Sequence, residues 1–247
     1  MSFTNKVVLI TGASAGIGAA TAEQFAKEGA SLALVGRNEA KLKAVAERCH
    51  ELGAKSYVIK ADVSKDKDAD SIVKKTVDVF GKLDVLVNNA GILKLSGIMA
   101  DDFLETFDEV MKTNLRGPVR ITRSAVPSLI KTKGNIVNVS SIAATNVTRP
   151  TFIAYKTSKA ALNHFTRSVA FELAPHGVRA NSVSPGPVRT DIFGGLNVDA
   201  DMLLEDTALL RVSDPVEIAD LIVYVASDKA KGITGSDYII DNGTLLK

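Results

Sequence analysis

Tyr155 and Lys159 stand four residues apart in the run Tyr155-Lys156-Thr157-Ser158-Lys159. On a helix that spacing puts both side chains on one face, with Cβ atoms about 5–6 Å apart. A phenol has an ordinary pKa near ~10, too high for efficient proton transfer at neutral pH. An ammonium beside it favours the phenolate. The pair therefore has the makings of an acid/base that gives a proton to a carbonyl oxygen or takes one from an alcohol. Just upstream, the apolar run Ile136-Val137-Asn138-Val139 ends in Ser140-Ser141. A serine hydroxyl there can hold a substrate oxygen beside Tyr155. Asn114 precedes Gly117-Pro118 in a helical stretch, where its amide could order a water toward Lys159.

Such chemistry needs a redox partner, and the N-terminal half supplies a place for one. The apolar run Lys6–Ile10 leads into Thr11-Gly12-Ala13-Ser14-Ala15-Gly16-Ile17-Gly18 and then a helix. Glycines at 12, 16 and 18 let the backbone turn tightly and let a pyrophosphate approach the amides, while the helix N-terminus offers unpaired N–H groups and partial positive charge. Ser14 and Ile17 belong to the same loop. At the end of the second apolar run the chain reads Val35-Gly36-Arg37-Asn38. An acidic residue there would select NAD(H) through the ribose 2′-hydroxyl. Arg37 can instead pair with a 2′-phosphate through its guanidinium fork, so NADP(H) is favoured and NAD(H) is the alternative. Ala15 detracts from this, since a basic residue in the loop would have given a second phosphate contact. Asp62 and Val63 follow the third run. Asp62 either accepts from an adenine amino group or caps the next helix together with Ser64. Asn88-Asn89-Ala90-Gly91 closes the fourth run and should lie against the cofactor, with Asn88 tying neighbouring strands together.

The order of elements sets these residues at one edge. Strand-like runs at 6–10, 31–35, 56–60, 84–87, 135–139, 178–183 and 238–240 alternate with helical patterns at 16–27, 39–52, 66–80, 103–113, 118–130, 152–173 and 215–226. Such alternation implies crossover connections and a parallel sheet, and continuous apolar runs such as Val7-Val8-Leu9-Ile10 fit strands covered on both faces. A doubly wound parallel α/β sheet in a single domain follows, with one long irregular segment at about 185–214 that suits a lid.

In these motifs the chain resembles the short-chain dehydrogenase/reductases of the compact, single-domain branch, over essentially its whole length. The matching residues run in order: Thr-Gly-x-x-x-Gly-x-Gly at 11–18, Asp62, Asn88-Asn89-Ala90-Gly91, Asn114, Ser141, Tyr155 with Lys159, and Pro185-Gly186 with Thr190. The resemblance implies a seven-stranded Rossmann-type sheet and a catalytic tetrad of Asn114, Ser141, Tyr155 and Lys159. It implies that Lys159 also binds the nicotinamide ribose, and that Thr190 with the Pro185, Gly186 and Val188 backbone holds the carboxamide. It further implies a homo-oligomer, commonly a tetramer or dimer. Ser140 competes with Ser141, which is preferred because the family usually uses the second serine. The sequence departs from the family at Ala144, where glycine is common, and at Asp241-Asn242-Gly243, which replaces a double glycine.

The 145–151 loop then reads as shaped for a particular substrate, and Ile192, Phe193, Leu196, Met202, Leu203 and Leu204 with Leu93, Leu95, Ile142 and Phe152 as an apolar pocket. That points to a lipophilic ketone or alcohol: steroid-like, 3-oxoacyl or another carbonyl compound. Helix or interface packing accounts for the same residues equally well. A formal net charge of +2 on 247 residues offers no reason to expect nucleic acid or an anionic membrane as partner. No apolar run is long enough to span a bilayer. Met1 to Asn5 lead straight into the first strand, so no leader is expected and the cytoplasm is the default. The single cysteine, Cys49, excludes an internal disulfide and reads as a buried small residue, and His50, His164 and His176 lack metal-ligand spacing. The rival functions are an NAD-dependent alcohol or hydroxysteroid dehydrogenase, a non-catalytic nucleotide sensor, and an isomerase or lyase on the same fold.

Overall fold

In the computed structural model, which describes residues 2–147, 150–193 and 200–247, the apolar runs form seven strands. They are β1 (Val7–Thr11), β2 (Ser31–Gly36), β3 (Ser56–Lys60), β4 (Val85–Asn88), β5 (Asn135–Val139), β6 (Arg179–Pro185) and β7 (Asp237–Ile240). All pair in parallel in the order β3-β2-β1-β4-β5-β6-β7. Every residue of β1, β4 and β5 is buried, as central strands covered on both faces must be. The edge strands β3 and β7 alternate in exposure instead.

Helices α1 (Gly16–Lys27), α2 (Glu39–Glu51) and α7 (Pro215–Ala226) cover one face, over a core that includes Val8, Ile10, Phe25, Leu42 and Ile222. Helices α3 (Asp66–Phe80), α5 (Gly117–Thr132) and α6 (Ile153–Leu173) cover the other, over Leu9, Ile72, Leu86, Ile121 and Ile136. Each such fully buried side chain contributes about 1.5–3 kcal/mol. Caps end the helices where the residues permit: Asn38 Oδ1 accepts from Lys41 N at 3.0 Å, and Asp214 and Glu217 form a reciprocal capping box on α7. Gly81 closes α3 in the left-handed conformation, φ +78°. No described helix is long and apolar enough to cross a membrane.

One element differs from the expected helix over 103–113. Helix α4 (Phe103–Met111) ends early, and Lys112–Arg116 forms a π turn that runs directly into α5. Pro118 explains the position. It has no N–H to give to the Asn114 carbonyl, and its ring would crowd that oxygen in a regular α turn. The widened turn sets Asn114 facing inward, 1% exposed.

Polar side chains stitch the strands beneath the cleft. Asn88 Nδ2 donates to Asn138 Oδ1 at 2.9 Å and to Thr122 Oγ1 at 3.2 Å, and Asn138 Nδ2 donates to Thr166 Oγ1 on α6 at 2.7 Å. The expectation that Asn88 ties strands together holds. The chain of bonds fixes α6 against β4 and β5, and α6 carries Tyr155 and Lys159.

Candidate active site

Strand order reverses between β1 and β4, where an open α/β sheet leaves a crevice beyond its carboxyl edge. Two cavities meet there. One, about 360 Å³, is lined by Gly12, Ser14, Gly16, Arg37, Asp62 and Val63 among others. The other, about 450 Å³, is lined by Ser141, Tyr155, Lys159, Pro185, Gly186 and Val188 among others. Ile17, Asn89, Gly91, Thr190 and Ile192 border both. The loop from β1, the ends of β4 and β5, and the start of the segment after β6 thus form one continuous site.

At the nucleotide end, the glycine loop has two separate reasons to exist. A Cβ on Gly18 would lie 2.2 Å from the Gly12 carbonyl oxygen, and one on Gly12 would lie 2.8 Å from Asn89 Nδ2. Close packing alone therefore requires both. The fit to a diphosphate rests on the helix end. Ala15 at the N-cap has no side-chain oxygen to satisfy the first amides, and the first turn of α1 carries no acidic residue. An anion is the group that such an end accommodates. Asn89 holds the loop in place, its Nδ2 donating to the Thr11 and Gly12 carbonyl oxygens at 3.0 and 3.2 Å, and Thr11 Oγ1 accepts from the amides of Asn89 and Ala90.

Arg37 is exposed on the wall of the smaller cavity, and among the described residues it makes no hydrogen bond or ion pair. Asn38, beside it, is the α2 cap. Asp62 does not cap α3, whose N-cap is Lys65. Its Oδ1 accepts from the Ser64 amide at 3.0 Å and the Ser64 hydroxyl at 2.7 Å, and among the described residues Oδ2 has no hydrogen-bond donor. Burial pushes the Asp62 carboxyl up, but the Ser64 bonds and Arg37 outweigh it and hold it below the usual value.

At the other end, Lys159 is 4% exposed and donates from Nζ to the Val139 carbonyl oxygen at 2.8 Å. Its Nζ is also 5.6 Å from the centroid of the Tyr155 ring. Burial lowers its pKa to about 8. With no nicotinamide beside it, the phenol is governed first by burial. Burial raises Tyr155 above its ordinary value, and the opposing influence is a hydrogen bond with Ser141. Ser141 Oγ also accepts from Ala143 N at 3.1 Å, which leaves its own proton for the bond to the phenol oxygen. Ser140 is turned elsewhere: buried, with its hydroxyl on the Lys159 carbonyl oxygen at 3.3 Å. Geometry therefore favours Ser141 over Ser140 as the partner of Tyr155. Asn114 Oδ1 accepts from Ile92 N at 2.8 Å, while its Nδ2 donates to Ile92 O at 2.9 Å and Ser158 Oγ at 3.2 Å. Its amide is thus committed to protein groups.

The apolar lining agrees in part with the sequence reading. Leu93, Ile142, Phe152, Ile192 and Leu203 line the larger cavity. Leu95 and Met202 do not, being 41% and 72% exposed, and Leu204 is also outside the lining. Leu196 and the side chain of Phe193 lie outside the described residues, as does part of the 145–151 loop. The sequence reading missed Asn146, Lys156, Asp206 and Lys247 in the same wall, and Lys41 in the nucleotide cavity. Lys156 follows Tyr155 directly and had a usable signal; Lys247 reaches the wall through a fold of the C-terminal segment that no local pattern reports. Cys49 is buried, with its thiol pushed up to about 12 by burial, as a structural cysteine should be. Among the described residues no group of His, Cys, Asp and Glu is placed to hold a metal ion.

A family model described as enoyl-(acyl carrier protein) reductase matches residues 12–244. The chain belongs to the short-chain dehydrogenase/reductase family. It is 40% identical over 253 residues to an uncharacterised oxidoreductase of Thermotoga maritima, covering 99% of both chains. To a 3-oxoacyl-(acyl-carrier-protein) reductase of Staphylococcus epidermidis it is 36% identical over 245 residues, covering 98% of this chain and all of the relative. A short-chain dehydrogenase of Burkholderia cenocepacia in complex with NADP superposes with a TM-score of 0.93 at 31% identity, covering 99% of this chain and all of the other. The chain is thus an oxidoreductase of a family that binds nicotinamide dinucleotides.

Proposed function

We propose that this dehydrogenase/reductase interconverts a ketone or aldehyde with an alcohol, prefers NADP(H), and takes a lipophilic substrate. The observation that carries the reading is the convergence of Tyr155, Ser141 and Lys159 on a largely apolar cavity that shares five residues with the nucleotide cleft. A bound nicotinamide supplies or accepts the hydride. All other steps belong to the chain. Ser141 turns its hydrogen bond from the phenol to the substrate oxygen and holds that oxygen beside Tyr155. Tyr155 gives its proton to that oxygen during reduction and takes it back during oxidation. Lys159, buried and fixed on Val139 O, holds the ribose hydroxyls and lends positive charge near the phenol. Asn114 clamps the Ile92 backbone and Ser158, and so fixes the floor on which Lys159 rests.

For the dinucleotide, Gly12, Ser14, Gly16, Ile17 and Gly18 would hold the diphosphate, and Arg37 with Asn38 the 2′-phosphate. Asp62 and Val63 would hold the adenine, Asn89, Ala90 and Gly91 the adjoining ribose, and Pro185, Gly186, Val188 and Thr190 the carboxamide. The substrate reading is supported by Leu93, Ile142, Phe152, Ile192 and Leu203 and by the acyl reductase among the relatives. Assembly as a dimer or tetramer is part of the same proposal, supported by exposed Leu104 on α4 and Phe171 on α6, and light scattering would measure it. The deciding experiment follows NADPH absorbance over a panel of ketones, aldehydes and alcohols and repeats it with NADH, for wild type and Tyr155→Phe. Turnover on carbonyls, faster with NADPH and lost in Tyr155→Phe while NADPH still binds, is the expected result. Undiminished turnover in the variant would remove Tyr155 from the mechanism.

A further inference from the structure

Lys41, in the first turn of α2, lines the nucleotide cavity beside Arg37 and Asn38. Its Nζ reaches Asp191 Oδ2 at 3.4 Å, across 150 positions of chain. Asp191 opens the short 3-10 turn Asp191–Phe193 that follows Thr190, and it lines the same cavity. The next residue, Ile192, borders both cavities. One ammonium thus stands between the adenine-ribose end of the cleft and the first turn of the segment that walls the substrate cavity.

We infer that Lys41 is a second specificity-determining cation for the 2′-phosphate and that Asp191 competes with the phosphate for it. The inference rests on the NADP(H) reading of Arg37. Position supports it: Asn38 caps α2 through Lys41 N, so the backbone that carries both cations is fixed. Ala15 gives the glycine loop no basic side chain, and Lys41 supplies a second cation, beside Arg37, in the same cavity wall. Charge supports it too. A dianionic phosphate is a stronger partner for an ammonium than a carboxylate that is 79% exposed, as Asp191 is. Capture of Lys41 by the phosphate leaves the Asp191 carboxylate to solvent.

The test measures binding by calorimetry, with 2′,5′-ADP and 5′-AMP as probes, for wild type, Arg37→Ala, Lys41→Ala, Asp191→Asn and the Lys41→Ala/Asp191→Asn pair. Lys41→Ala should weaken 2′,5′-ADP about fivefold and leave 5′-AMP unchanged, as expected for loss of one rim cation. Asp191→Asn should tighten 2′,5′-ADP by about twofold, and that gain should vanish when Lys41 is absent. A Lys41→Ala variant that binds both probes like wild type, while Arg37→Ala loses only 2′,5′-ADP, overturns the role of Lys41 and leaves the NADP(H) reading intact. If neither variant changes the preference between the probes, the NADP(H) reading falls and Lys41 with it.

Discussion

The Lys159 ammonium lies 5.6 Å from the centroid of the Tyr155 ring yet gives its 2.8 Å hydrogen bond to Val139 O. The cation is anchored by the sheet rather than by the phenol. Its effect on Tyr155 is a matter of field, whereas Ser141 acts by direct contact. Burial lifts the phenol and the Ser141 bond pulls it back. Oxidation of an alcohol needs the phenolate, so its rate rises with pH through the phenol's pKa. Ser141→Ala removes the opposing influence, and the rising limb of the kcat/KM profile, which reports the free enzyme, should move to higher pH. The plateau rate should fall by about 10²–10³ as the substrate oxygen loses its donor. A limb that stays where it is in wild type would place Ser141 out of contact with the phenol in the working enzyme.

Lys159 also carries a stability cost that can be read by pH. Its folded pKa is depressed to about 8, below the 10.5 of a free lysine. Below pH 8 folded and unfolded chains both carry the ammonium, and the folded state bears the full penalty of burying it. Between about pH 8 and 10.5 the unfolded chain still holds the proton and the folded chain has lost it, so this group makes stability rise with pH. The depression corresponds to about 3 kcal/mol. Lys159→Met removes that cost but leaves Val139 O without its donor, a loss of about 1–3 kcal/mol. The expected net gain at pH 7 is on the order of 1 kcal/mol, gone by about pH 9 and reversed at pH 10, where wild type no longer buries a charge, with activity abolished. Urea unfolding at pH 7, 9 and 10 reads it directly; a variant less stable than wild type at pH 7 would show that the hydrogen bond outweighs the burial.

How much of this was legible in the sequence depends on how local the signal is. The central strands were plain, because Val7-Val8-Leu9-Ile10 and Val85-Leu86-Val87 can only be buried on both faces. So was Tyr155 with Lys159, since a single helix sets their spacing. The π turn at Lys112–Arg116 was not, although Pro118 held the clue: its effect acts four residues upstream, on the Asn114 carbonyl. The weight of burial on Tyr155 was not legible, because burial is a property of the whole assembly. For Leu95 and Met202 hydrophobicity leaves pocket and packing equally open, because it does not say which face of a turn looks inward. Lys41 is a helix-start lysine like many others until the loop carrying Asp191 folds against it.

Gly18 separates packing from ligand binding. A methyl at that position meets the Gly12 carbonyl oxygen at 2.2 Å and Asn89 Nδ2 at 2.5 Å, and neither can retreat without moving the β1 turn. Gly18→Ala should therefore cost about 1–3 kcal/mol in thermal unfolding without any nucleotide present. It should also weaken 5′-AMP and 2′,5′-ADP to the same degree, since the loop serves the part common to both. Gly53, where a methyl meets nothing within 4 Å but φ is +85°, is the control. Gly53→Ala should lose stability through backbone strain alone and leave nucleotide affinity unchanged.

Asn114 gives the sharpest separation between a clamp and a direct participant. Its amide spends both ends on the Ile92 backbone and one more donor on Ser158, and the side chain is buried. Asn114→Leu strands the Ile92 amide and carbonyl in the interior, and each stranded group costs about 1–3 kcal/mol. A drop of roughly 2–6 kcal/mol is expected, about 4–24 °C in Tm for a chain of this size. Asn114→Asp keeps an acceptor for Ile92 N but sets a buried carboxylate against Ile92 O, so it should lose at least as much stability as the leucine variant at neutral pH. If Asn114 acts by positioning Lys159, both variants shift the pH profile of turnover in proportion to their loss of stability. Asn114→Asp with native stability and abolished turnover would instead make the amide a direct member of the proton path.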